Sequence, residues 1–243
     1  MTLAIMQPYL FPYLGYFQLI HAVDKFVFYD DVNFIKQGWI NRNRILLNGA
    51  PHLFTVPVKQ VSSFRNICDT EVDDRRFLLW KRKFLATIDQ AYKKAPHFSP
   101  VRALVESVLA VDINSIGELS KVSVLAVCEY LALQRDWVLG SAVFDNESLR
   151  GEHRVLDICL KVGANTYVNL PGGRHLYTDE HFEGWGISLK FLKSNIRSYH
   201  QFDHSFVENL SIIDVLMFND PGVISEKLIP HYTLLSVLTS DYE

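Results

Sequence analysis

Gln7-Pro8-Tyr9-Leu10-Phe11-Pro12-Tyr13-Leu14-Gly15-Tyr16 decides how the rest of the chain is read. Leu3, Ala4 and Ile5 lead into it as a short buried strand, which stops where the prolines remove ladder donors. Behind it Tyr16, Leu19, Ile20 and Val23 fall at i, i+3, i+4 and i+7, the spacing of one buried helical face. The unit is strand, stiff turn, helix. The first N–H groups of a helix have no partners within it and carry its positive end, so such a turn is a ready anion site. Gly15 allows a ligand or a second backbone to approach, while Pro8 and Pro12 restrict the loop. A corner of this composition also serves plain packing, and these residues alone leave both readings open.

Phe26 to Tyr29 reads as a second buried strand, ending in Asp30-Asp31-Val32-Asn33 and followed by Lys36-Gln37-Gly38-Trp39-Ile40-Asn41-Arg42-Asn43-Arg44. Adjacent strand-end carboxylates point to opposite faces, so one can look into a site while the other caps a turn. Asn43 to Leu47, then Asn48-Gly49, then Leu53 to Val58 spell a hairpin, with Ala50, Pro51 and His52 lengthening its loop beyond two residues. Asn41 and Asn43 then share one face, able to read a hydroxyl or amide together, and Arg42 takes the other. Ile67 to Val72 is expected as a further strand.

Three helices follow. Phe77, Trp80, Phe84, Ile88 and Ala91 carry the first, Ser99-Pro100 caps the second, and the third runs from about Ser115 to Leu133. Alternation resumes with a strand at Trp137 to Leu139, a helix from Glu152 to Val162 stopped by Gly163, and a strand from Thr166 to Leu170. That strand delivers a second glycine-bearing turn, Pro171-Gly172-Gly173-Arg174-His175. Ile187 to Leu192 is expected as the last core strand and Ile212 to Phe218 as a short helix. The expected fold class is α/β, a mostly parallel sheet covered by helices, with a β-hairpin and a helical insert at about 75–133, in one domain over 1–243. In open sheets of this class ligands bind outside the carboxyl ends of the strands, and both glycine-bearing turns follow strands.

The residues from Gln7 to Arg44, with a QPYLFPYLGYF opening, a YDDVNF centre and a WINRNRI close, resemble the start of the WbqC-like family. YVNLPGGRHLY at Tyr167 to Tyr177, the Tyr199-His200-Gln201 triplet and Ser211 to Leu216 extend the resemblance over almost the whole chain. The resemblance is looser at Asn169-Leu170-Pro171-Gly172-Gly173, where family members often carry Ser-Gly-Pro and this chain keeps a glycine-rich turn without the hydroxyl. The resemblance implies a role in O-antigen and other surface-polysaccharide biosynthesis, transferring an amino acid such as glycine to an activated sugar.

Charged residues make up 21% of the 243, apolar ones 49% and aromatic ones 13%, an ordinary globular composition whose aromatic excess hints at a stacked ligand. A net charge of −3 gives no drive toward nucleic acid, so any phosphate is held locally. Cys68, Cys128 and Cys159 form no C-x-x-C pair and read as reduced thiols. With no signal-like N-terminus and no window near ~18 apolar residues, a cytoplasmic protein without membrane insertion is expected.

Asp30 or Asp31 is the expected general base, because transfer of an acyl group to an amine needs a proton acceptor; His21, His175 and His200 are the alternatives. Lys36, Arg42, Arg44 and Arg174 are expected to hold a diphosphate or carboxylate. Gln7, Tyr9 and Gly15 would shape the floor, with Asn41, Asn43, Gly172, Tyr199 and Gln201 completing the substrate-binding set. Ser211 with Asp214 reads as a helix cap. No metal site is expected and no cofactor is required, though the sequence is compatible with ATP, or with a divalent metal held by Asp30 and Asp31. The expected partner is a small-molecule substrate, a nucleotide-linked sugar. A binding protein without chemistry and an enzyme resembling nucleotidyltransferases are the competing readings.

Overall fold

A computed structural model describes residues 1–203 and 205–236. The opening unit is Thr2–Met6 (β1), Leu14–His21 (α1) and Lys25–Phe28 (β2), followed by the hairpin Arg42–Leu47 (β3) and Ala50–Thr55 (β4). Three helices, Asp74–Tyr92 (α2), Phe98–Val108 (α3) and Ile116–Tyr130 (α4), precede Asp136–Val138 (β5). Gly151–Val162 (α5), Thr166–Asn169 (β6), Asp179–Gly184 (α6), Ser188–Ser194 (β7), Ile212–Phe218 (α7) and Tyr232–Ser236 (β8) follow.

The main sheet has the order β5-β2-β1-β6-β7-β8. Its first five strands are parallel and β8 runs antiparallel to β7. The α/β class, the separate antiparallel hairpin and the helices are therefore as the sequence predicts. The parallel part has the 3-2-1-4-5 order of doubly wound folds, with its reversal between β1 and β6.

Period-two alternation sorts the sheet's side chains onto two apolar layers. Ala4, Phe26, Phe28, Val168 and Leu192 join the layer built with α1, the hairpin, α2 to α4 and α7. Leu3, Ile5, Val27, Tyr167, Leu189 and Phe191 join a second layer under α5 and α6. Each large apolar side chain fully buried in this way contributes about 1.5–3 kcal/mol, which is what holds helices on both faces. The capping box at α4, with the Ser115 hydroxyl on the Glu118 N–H and the Glu118 carboxylate back on the Ser115 N–H, fixes where that helix begins.

Four local expectations are corrected. The hairpin loop is the two-residue turn Asn48-Gly49, with φ of +53° and +76°, and Ala50, Pro51 and His52 lie in β4 as partners of Leu47, Leu46 and Ile45. Pro51 is tolerated because β4 is an edge strand of a two-stranded sheet. Among the described residues, 67–72 make isolated bridges and no strand, Val58 to Val72 and Glu71 to Ser115, because Asn66 and Thr70 close turns there. α3 starts at Phe98, so Ser99 and Pro100 lie in its first turn and His97 takes the cap position. The strand after β6 is not the last: Tyr232–Ser236 pairs beyond it on the edge.

Candidate functional site

The parallel register aligns Leu3 with Lys25 and Tyr167, and Tyr167 with Leu189. The carboxyl ends of β1, β2, β5, β6 and β7 therefore meet at one edge, which receives Gln7, Tyr29-Asp30-Asp31, Leu139-Gly140-Ser141 and Leu170-Pro171. This is where open α/β sheets bind ligands.

The corner after β1 is locked from within. The Phe11 carbonyl accepts from Asn43 Nδ2 at 2.7 Å and from Ser211 Oγ at 2.8 Å, and its N–H donates to Ser123 Oγ at 2.9 Å. The N–H of Leu10 donates to the Ile40 carbonyl, that of Ile212 to the Pro12 carbonyl, and Tyr16 Oη to the Gln7 carbonyl. Phe11 holds φ at +41°, costly for a side chain that size and kept only because so many partners fix it. Gly15 lies inside α1, where an added Cβ would sit 2.5 Å from the Tyr13 ring. Its missing side chain makes room for that ring, and Tyr9 packs against Tyr16 alongside.

Both acids at the end of β2 are buried and engaged. Asp30 accepts from Lys121 Nζ at 2.8 Å and from the Ser141 N–H at 3.2 Å, in space left by Gly140. Asp31 accepts from Arg154 Nη2 at 2.5 Å and from the Ser141 hydroxyl. Arg154 is itself buried, donates to Asn146 Oδ1 at 2.8 Å and lies 5.1 Å from the centre of the Tyr29 ring. A buried carboxylate without such a cation costs several kcal/mol, so each pair is what lets β2 end in two acids.

The segment after Ile40 splits its donors between two faces. Asn41 Nδ2 donates to the Val56 carbonyl, and Asn43 Nδ2 to the Leu10 and Phe11 carbonyls. Arg42 and Arg44 point the other way, over the half-exposed Trp39. Arg42 Nε donates to the Gly38 carbonyl and Arg44 Nη2 to the Asn209 carbonyl, and neither meets a carboxylate among the described residues. Lys36 is exposed on the preceding loop.

After β6 the chain forms a 3-10 turn over Pro171–Leu176. Gly172 is open to solvent, while at Gly173 an added Cβ would lie 2.8 Å from Asn169 Nδ2, so the close approach is at the second glycine. Arg174 is half-buried in that turn. Tyr199 Oη and Gln201 Nε2 both donate to Asp214, at 2.7 and 2.6 Å, and Tyr92 Oη donates to its other oxygen at 2.8 Å. Asp214 is thus the hub of a buried network, a correction to its reading as a cap; Ser211 alone caps α7, accepting from the Ile213 N–H. Burial raises the Asp214 carboxyl above its usual range, and burial with the facing Asp214 raises the Tyr92 and Tyr199 hydroxyls.

The alternative bases lie apart from this edge or in the open. His21 Nδ1 meets Tyr232 Oη at the far end of α1, its pKa lowered by burial and by Arg135; His175 and His200 are exposed. A cavity of about 230 Å³ lined by His21, Leu131 to Arg135, Ser225 and Ile229 lies at the amino edge, and one of about 10 Å³ lies beside Tyr13, Tyr199 and Asn209. Among the described residues no group of His, Cys, Asp and Glu side chains could hold a metal, and no helix is long and apolar enough to cross a membrane. The cysteines are unpaired, with burial pushing Cys128 and Cys159 up to about 12 and Cys68 to about 11.

Lys121, Ser141, Arg154 and Trp39 were not among the residues predicted to matter. Arg154 had a readable signal: it shares a helical face with Val155, Ile158 and Cys159, and a cation there demands a buried acid.

The model of the WbqC-like protein family matches residues 7–226. An uncharacterized protein, Rv1507c of Mycobacterium tuberculosis (strain ATCC 25618 / H37Rv), is 29% identical over 224 residues, covering 89% of this chain and 92% of the relative. No solved structure matches.

Proposed function

We propose that this chain, which belongs to the WbqC-like protein family, is a cytoplasmic transferase of surface-polysaccharide biosynthesis that joins an amino acid or small acyl group to an activated amino sugar. One observation carries the reading: the ends of β1, β2 and β6 meet at the sheet's reversal edge, and the corner after β1 is held by the hairpin strand whose other face carries Arg42 and Arg44, two arginines without a carboxylate partner among the described residues. Gln7 and Tyr9 form the floor, and Arg42, Arg44, Lys36 and Arg174 take the phosphates. Asn41 and Asn43 keep the frame rigid. In the transfer the amine nitrogen attacks the acyl carbon, the bond to the activating group breaks, and the amine proton passes to Asp30, with Lys121 beside it. Asp31, held by Arg154, fixes the strand end that presents Asp30. ATP is the natural activator of a free amino acid in such a step.

The test is to incubate the purified chain with nucleotide-linked amino sugars, glycine and ATP and to seek the mass of the joined product. The reading expects that product and its loss in Asp30→Asn; no product and no nucleotide-sugar binding across a broad panel removes it. A second reading, a nucleotide-sugar binding protein without chemistry, is favoured by the pairing of both strand-end acids with cations. It expects thermal stabilisation by the sugar nucleotide without turnover, unchanged in Asp30→Asn.

A further inference from the structure

We propose that Trp39, Arg42 and Arg44 form a diphosphate clamp, in which Trp39 aims two guanidinium groups and the two phosphates each take one fork. The proposal rests on the reading that this edge receives an activated sugar, and it assigns the part of that ligand which the hairpin holds.

Arg42 and Arg44 stand two apart on β3, so strand alternation puts them on one face about 6.6 Å apart at the backbone. Their guanidinium carbons lie 5.5 and 5.4 Å from the centre of one Trp39 ring. Two like charges brought together this way repel, and no carboxylate among the described residues compensates them. An aromatic face orients a guanidinium without neutralising it, whereas a carboxylate would occupy the N–H fork that a phosphate needs. Among the described residues each arginine bonds one backbone carbonyl, Gly38 for Arg42 through Nε at 2.9 Å and Asn209 for Arg44 through Nη2 at 3.2 Å, which leaves the Nη1 end of each guanidinium outside the anchor. The Arg44 Nε is buried without an acceptor among the described residues.

Placement and rigidity agree with a ligand site. The Leu10 N–H bonds the Ile40 carbonyl, so Trp39 is fixed beside the corner that follows β1. The same strand's inward asparagine holds that corner by its backbone, so the outward arginines stand on a frame that does not give. A single phosphate can satisfy one fork at a time, whereas two linked phosphates engage both and bring negative charge between them.

The experiment measures binding of inorganic pyrophosphate, orthophosphate, UDP and UMP to the whole chain by calorimetry. Pyrophosphate and UDP are expected to bind about tenfold or more tighter than orthophosphate and UMP. Arg42→Gln and Arg44→Gln each lower pyrophosphate affinity about tenfold at unchanged melting temperature. Trp39→Ala lowers it comparably although both arginines remain, and Trp39→Phe restores it. Arg42→Lys with Arg44→Lys, which keeps the charge and loses the forks, shrinks the preference for pyrophosphate and needs no change at Trp39. Equal affinity for pyrophosphate and orthophosphate, or full pyrophosphate affinity in the doubly substituted Arg42→Gln/Arg44→Gln chain, overturns the clamp. Transfer that proceeds unaltered in that double variant sinks the clamp and leaves the transferase standing; a working clamp without any transfer does the reverse.

Discussion

Residues 41–44 present two faces that use N–H donors in opposite ways. On the inner face Asn41 and Asn43 are buried and bonded to the carbonyls of Val56, Leu10 and Phe11. On the outer face Arg42 and Arg44 lean on an aromatic ring and each touch one carbonyl. The difference separates what holds the fold from what is free to meet a ligand. It also couples them, because the asparagine that locks the Phe11 corner aims the arginine beside it.

The contrast predicts a descending series. Arg154→Met, which leaves Asp31 buried without its cation, is expected to cost about 3–5 kcal/mol in urea unfolding. Asn43→Ala strips a donor from the Leu10 and Phe11 carbonyls, of which Phe11 keeps the Ser211 hydroxyl, and is expected to cost about 1–3 kcal/mol by the same measurement. If Asn43→Ala unfolds as the wild type does while losing ligand affinity, the inner face belongs to the site after all. Arg42→Gln is expected to change stability by no more than about 0.5 kcal/mol, because it breaks no buried pair; a loss as large as that of Asn43→Ala would erase the distinction between the faces.

Asp214 extends the comparison to a carboxyl held, among the described residues, by the neutral donors Tyr92, Tyr199 and Gln201. Burial raises its folded pKa above the ordinary 3.8, so the folded state holds that proton more tightly than the unfolded chain does. The stability this group adds is full below pH 3.8 and is lost as pH rises through the folded value. Asn at this position does not titrate, so the stability of the wild type minus that of Asp214→Asn is expected to fall as pH rises from about 3.8, and then to level. A difference that is constant from acid to neutral pH would show that Asp214 titrates alike in both states.

The sequence makes the α/β alternation legible because the strands are short apolar runs and the helices keep strict spacing. The Asn48-Gly49 turn was legible too, but the proline at 51 argued against a strand there, and only the edge position of β4 makes it acceptable. β8 is not legible because Leu234 and Leu235 stay partly exposed and the strand runs antiparallel on the sheet's edge, outside the strand–helix alternation. At the site, Asp30 and Asp31 stood out by their position after an apolar strand. Their partners did not, since Lys121, Ser141 and Arg154 lie 91, 110 and 123 residues away in sequence. Asn41 and Asn43 looked like ligand readers because the sequence shows an amide and not the backbone carbonyl it faces.

The most direct test of the account is a crystal structure of the chain with a uridine-diphosphate amino sugar. The account predicts the diphosphate against Arg42 and Arg44, with the sugar toward Gln7 and Asp30. Density instead in the cavity formed by His21, Arg135 and Ser225 at the opposite edge of the sheet would contradict it.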